Sequence, residues 1–81
     1  MTNSVLEEFH LKDDVKGGFV STIPIPNYDN SQHYETMVFN RRKDKFVYRD
    51  TYDTEQEARE GHKRILDEAK ANPRKYMSMS L

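Results

Sequence analysis

The chain has 81 residues, 35% of them hydrophobic and 33% charged, so it holds one domain with a thin core. It contains no cysteine, which excludes disulfides and thiolate-held metals. A formal charge of −1 removes the global electrostatic case for nucleic acid and leaves only local patches to make it.

Five Tyr and four Phe argue against wholesale disorder, because each ring can bury a large area. No apolar run approaches the roughly 20 residues that a membrane-spanning helix needs. The start, MTNSVLEEFHLKDD, lacks the basic n-region and apolar stretch of a signal peptide. The expected setting is soluble and cytoplasmic.

Residues 1–16 read as an N-terminal arm that packs Leu6 and Phe9 onto the core, or as a short helix lined by Val5, Leu6, Phe9 and Val15. Gly17-Gly18 ends it. FVSTIPIP is rich in β-branched residues and reads as a strand. Pro24 and Pro26 cannot donate to a ladder, so this strand ends near Ile23 or lies at an edge. NYDNSQ is a polar loop that carries Tyr28.

HYETMVFN (33–40) is a second strand, with Glu35, Met37 and Phe39 on one face and Tyr34, Thr36 and Val38 on the other. RRKDK is a hairpin turn, and FVYRDTY (46–52) returns antiparallel. Thr54 with Glu57 forms a capping box. Ala58, His62, Ile65, Leu66 and Ala69 then recur at helical steps until Asn72-Pro73 stops the helix. Residues 73–81 form a tail with no clear period. The expected architecture is α+β: a three-stranded antiparallel sheet on one C-terminal helix, a single domain over 1–81 with its core in 18–72.

Three places invite chemistry. Gly61 in a helix interior marks a close approach, and His62 beside it points at the sheet. If the covered face carries Met37 and Phe39 it also carries Glu35, and a Glu35–His62 pair follows. Such a pair serves acid–base catalysis or begins a metal site. A metal needs further ligands, and neither His10 nor His33 is placed to supply one. A domain this thin also seldom encloses a pocket. The pair therefore reads as structural, with no catalytic residue, metal or cofactor, and the protein as a non-enzyme.

The second place is the hairpin, where Arg41, Arg42, Lys43, Lys45 and Arg49 surround Asp44, with Phe46 and Tyr48 interleaved. A basic ribbon can enter a DNA groove, or its charges can keep a sheet edge from aggregating. The strand–strand–strand–helix order resembles DNA-binding domains of the integrase arm-binding type, down to Phe46, Tyr48, Thr54, Glu57 and Ala58. The third place is an exposed face around Tyr34, Thr36 and Val38, with Tyr28, of the tyrosine-rich kind found in protein interfaces.

STI (21–23), YETMVF (34–39) and the spacing Tyr52-x-Thr54…Ala58-x-x-Gly61-His62 together resemble a set of small uncharacterised bacteriophage proteins. The resemblance covers residues 19–70, with Tyr34 where that family usually has Phe. It implies a phage product in an infected bacterial cell and no particular chemistry. Small phage proteins often block a host factor, including defence proteins, or sequester a signalling nucleotide. The expected function is thus a non-enzymatic module that binds a host protein through a sheet face or strand edge. DNA binding through the hairpin at 41–49 is the alternative. A nucleotide-sequestering oligomer, a homodimer at its simplest, using Arg41, Arg42 and Tyr48, is the third.

Overall fold

The computed structural model describes residues 9–26 and 32–81. Four strands, β1 (Leu11–Val15), β2 (Gly18–Pro26), β3 (Gln32–Asn40) and β4 (Lys45–Tyr52), are followed by α1 (Glu55–Ala71) and a short α2 (Arg74–Met77). The strands form an antiparallel meander in the order β1-β2-β3-β4. The class is α+β as expected, but the sheet has four strands rather than three. The extra strand is LKDDV, which lies within the expected N-terminal arm. Its three central residues are charged and exposed, so it shows no apolar alternation, yet Leu11 to Val15 pair in register with Thr22 to Gly18.

β1 stops opposite Thr22, whereas β2 runs on to Pro26. Pro24 and Pro26 therefore lie where β2 has β3 on one side and, among the described residues, no strand on the other. An imide nitrogen costs no ladder bond at such an edge. The two described turns differ. Gly17 takes φ +91° in the short link from Val15 to Gly18, while Asp44 closes the longer link from β3 to β4 at φ 58°. That left-handed geometry suits Gly and is tolerated by Asp.

α1 starts and stops where its signals stand. The Thr54 side chain accepts from the Glu57 amide at 3.1 Å, and the Asn72 amide donates to the Glu68 carbonyl at 2.9 Å. Its buried stripe is Ala58, Gly61, His62, Ile65 and Ala69, with Leu66 half-buried. Against it lie Val20, Thr22, Thr36 and Val38 from the two central strands, all fully buried.

β4 contributes through a bulge. Val38 pairs with Tyr48 and Phe39 with Phe46, which leaves Val47 as the extra residue. Val47 is buried in the core and Tyr48 packs beside it against Tyr76, while Phe46 opposes Phe39 on the far face. The core extends beyond residues 18–72 at both ends. Phe9 is buried with its ring edge-on to Tyr34, and Tyr76 of α2 is buried against Tyr48. Among the described residues no helix is long and apolar enough to cross a membrane.

Candidate functional site

The pleat decides which side chains can act. Thr36 and Val38 face α1, and Tyr34 shares their side of the strand, half-buried against Phe9. Glu35, Met37 and Phe39 occupy the opposite, uncovered face. This reverses the assignment that the sequence suggested. The alternation could not reveal it, because both faces of β3 carry large side chains.

His62 does point at the sheet, but its partners are not Glu35. Its Nδ1 lies 2.7 Å from Thr22 Oγ1, which lies 2.6 Å from Thr36 Oγ1. Its Nε2 lies 2.8 Å from Asp13 Oδ2 on β1. In the tautomer with the proton on Nε2, the ring donates to Asp13 and accepts from Thr22, whose oxygen accepts from Thr36. Glu35 is on the other side of the sheet, its Oε2 3.7 Å from Arg49 Nε.

A hydroxyl, an imidazole and a carboxylate in sequence resemble a nucleophilic triad. Here the hydroxyl lies in the middle of the layer. Thr22 and Thr36 have no exposed surface and His62 is 4% exposed, so no reacting atom can reach the oxygen. What the arrangement does is satisfy three buried polar side chains, Thr22, Thr36 and His62, inside an otherwise apolar layer, with the exposed Asp13 closing it at the edge. It also ties α1 to three strands at once.

The hairpin residues scatter. Arg41 folds back over the open face, its Nη2 donating to Asp14 at 3.0 Å and its Nη1 to the Gly18 carbonyl at 3.3 Å. Arg49 faces Glu35. Lys43 Nζ donates to the Met79 carbonyl at 3.4 Å. Tyr48 sits on the helix side, so within one chain it does not join Arg41. Arg42 and Lys45 are exposed at the tip. Tyr28 lies outside the described residues. The remaining histidines sit at the margins: His10 Nε2 is 3.4 Å from Ser21 Oγ, and His33 Nδ1 is 2.9 Å from Asp53.

The open face carries a group that the sequence reading did not single out. Phe19 and Phe39 stack at 5.0 Å between centroids, and Phe46 stands edge-on to both at 6.3 and 5.1 Å. Lys12 Nζ lies 4.5 Å from the Phe19 centroid and the Arg41 guanidinium 5.3 Å. Phe46 and Ile23 are each 37% exposed. The available signal was the placement of Phe39 and Phe46 on either side of the RRKDK turn, where a hairpin must bring them together.

Two clefts differ in the charge of their linings. One cleft, at the start of α1, is lined by Asp53, Glu57 and Glu60 with Arg64 as its one cation. There Tyr52 donates to Asp50 at 3.0 Å, and burial followed by that bond holds its phenol above the ordinary value. A second cleft, about 650 Å³, lies at the hairpin end and is lined by Lys16, Arg42, Lys43 and Arg74 with no carboxylate. Among the described residues no cluster of three or more His, Asp or Glu is arranged to hold a metal ion.

Comparison of the chain with family models, with characterised proteins and with solved structures found no match.

Proposed function

We propose that the protein is a non-enzymatic binding module that docks a partner protein on the uncovered face of its sheet. The observation that carries this reading is the trio Phe19, Phe39 and Phe46, on a face over which no helix of the described residues lies. Aromatic and Met side chains concentrate in the cores of protein interfaces, and Met37 shares this face. Salt-bridged pairs at Asp14–Arg41 and Glu35–Arg49 border it and would sit at a polar rim.

Docking by strand addition is the weaker form of the proposal. β1 is five residues long and charged, β4 is bulged, and the exposed side of β2 holds Pro24 and Pro26. Short, bulged or proline-bearing edges resist pairing. In the setting that the phage resemblance implies, the partner is a protein of the infected bacterial cell, with defence proteins among the expected targets.

A second reading is favoured by the cations beside the rings. Aromatic side chains with lysine and arginine on an open sheet also suit single-stranded nucleic acid. The test separates the two. The protein immobilised in bacterial lysate is expected to retain a specific protein, and Phe46→Glu to lose it without loss of stability. Nuclease-sensitive retention, or binding to oligonucleotides that falls steeply with salt, would replace the protein partner by nucleic acid. Equal capture by the wild type and by Phe46→Glu would end the sheet-face reading.

A further inference from the structure

The basic cleft is independent of the sheet face. Three stretches distant in sequence converge there: the β1–β2 turn with Lys16, the β3–β4 turn with Arg42 and Lys43, and the α1–α2 junction with Arg74. All four cations are exposed, whereas Asn40 is 5% exposed and Met77 is half-buried, so the cleft has a partly apolar floor beneath a cationic rim.

Other cations of this protein are largely neutralised. Arg41, Arg49, Arg59, Lys63, Arg64 and Lys75 each lie within 4.0 Å of a carboxylate. Among the described residues Lys16, Arg42, Lys43 and Arg74 have no such partner, and neither do Lys12, Lys45 and Lys70, but only the first four are gathered around this concavity. Four like charges around one concavity repel each other, and that repulsion is relieved when an anion enters.

The cleft is also held in shape. The buried Asn40 donates from Nδ2 to the Met77 carbonyl at 3.1 Å, and its Oδ1 accepts from the Lys43 amide at 3.0 Å. One side chain thus ties the hairpin turn to α2. The Arg41 amide donates to the Gly17 carbonyl at 2.9 Å and fixes the two turns to each other. A rim positioned in this way loses little entropy when a ligand binds.

We infer that this cleft binds a small phosphate-bearing anion of the nucleotide class. Arginine suits phosphate because its planar fork donates two parallel bonds. The volume falls in the range of small-molecule sites, and the floor at Met77 and Pro73 offers contact to a base or another apolar moiety. The site differs in place and in residues from the aromatic face, so either one can fail without the other.

The test is titration of the intact protein with sodium triphosphate, ATP and an oligothymidylate of about 12 residues at constant ionic strength. Binding is followed by calorimetry and by amide shifts at Gly17 and Asn72. Triphosphate and ATP are expected to bind saturably, ATP more tightly because of the floor. The double variant Arg42→Gln/Arg74→Gln is expected to bind both at least about tenfold more weakly. Arg59→Gln, remote from the cleft, should leave binding unchanged. Since Arg42 and Arg74 are exposed, an unaltered thermal midpoint for the double variant separates ligand loss from misfolding.

Absence of saturable binding by either small anion up to about 1 mM would overturn the inference. So would equal affinity in the double variant, or binding of the oligonucleotide alone. Concentration-dependent self-association that the double variant abolishes, with no response to anions, would instead assign the basic end to the acidic end of a second copy.

Discussion

Gly61 lies directly against the ring of Tyr52: a Cβ built on the glycine would overlap the phenol Cζ and Oη. The close approach signalled by a glycine inside α1 is therefore real, and what approaches is a side chain at the end of β4. Gly61→Ala gains about 1 kcal/mol of helix propensity. It is nonetheless expected to destabilise the protein by about 1–2 kcal/mol, because a ring bonded to Asp50 and Arg64 has little freedom to move. In a Tyr52→Ala background the same change should become neutral or stabilising. A double-mutant cycle by chemical denaturation measures the coupling.

Thr22→Val should be among the most damaging isosteric changes in the sheet. It removes the hydroxyl between His62 and Thr36 and leaves both without that partner inside the layer. A loss of about 2–3 kcal/mol is expected. The combination Thr22→Val/Thr36→Val/His62→Leu replaces the whole network by apolar groups and should cost less than the sum of its parts. Urea midpoints of the single and combined variants test this non-additivity.

Stability should fall on the alkaline side through Tyr76. Burial, then its bond to Glu68, raises this phenol well above its ordinary value of about 10. A group with a raised folded pKa binds its proton more tightly in the folded state. Its contribution is complete below pH about 10 and is lost as the pH rises further. Tyr48 is raised as well, by burial first and by Asp50. Glu68 has the opposite sign: the Tyr76 bond, helped by Lys75 and only partly opposed by desolvation, leaves its carboxyl lowered. Its share is present at neutral pH and is lost as the pH falls through the carboxylate range. Tyr76→Phe should flatten both limbs of the stability–pH curve, and tyrosinate absorbance should show a late-titrating phenol that disappears in the variant.

The two glycines of the first turn should rank in a definite order. At Gly18 an added Cβ would run into the Phe39 carbonyl, a backbone atom held in the sheet, and Gly18→Ala should cost about 3 kcal/mol. At Gly17 the described neighbour is the flexible Met77 side chain, and the cost of Gly17→Ala is the left-handed backbone, about 1–2 kcal/mol. Thermal midpoints of the two variants check the order.

The helix was legible because cap, stripe and stop agree within one segment. The β3–β4 hairpin was legible because its turn is short and polar. β1 was not, since an edge strand with three exposed central residues carries no alternating signal. The inverted face of β3 has a different cause. Threonine at 36 looks polar, yet it is buried because His62 and Thr22 complete its bonding, and that partnership spans 40 positions from Thr22 to His62. The role of Asp13 was hidden for the same reason, since it depends on a strand that had not been recognised. The phenylalanine trio depended on knowing which face α1 leaves uncovered.

Among the described residues, an acidic cleft at the start of α1 and a basic one beyond its end set opposite potentials along the helix. A nearly neutral body with such opposed potentials is turned by the field of a charged partner before the two touch. The encounter is thereby biased toward one end leading, even though net attraction is almost nil. Added salt should then slow association with a charged partner while leaving the lifetime of the complex nearly unchanged.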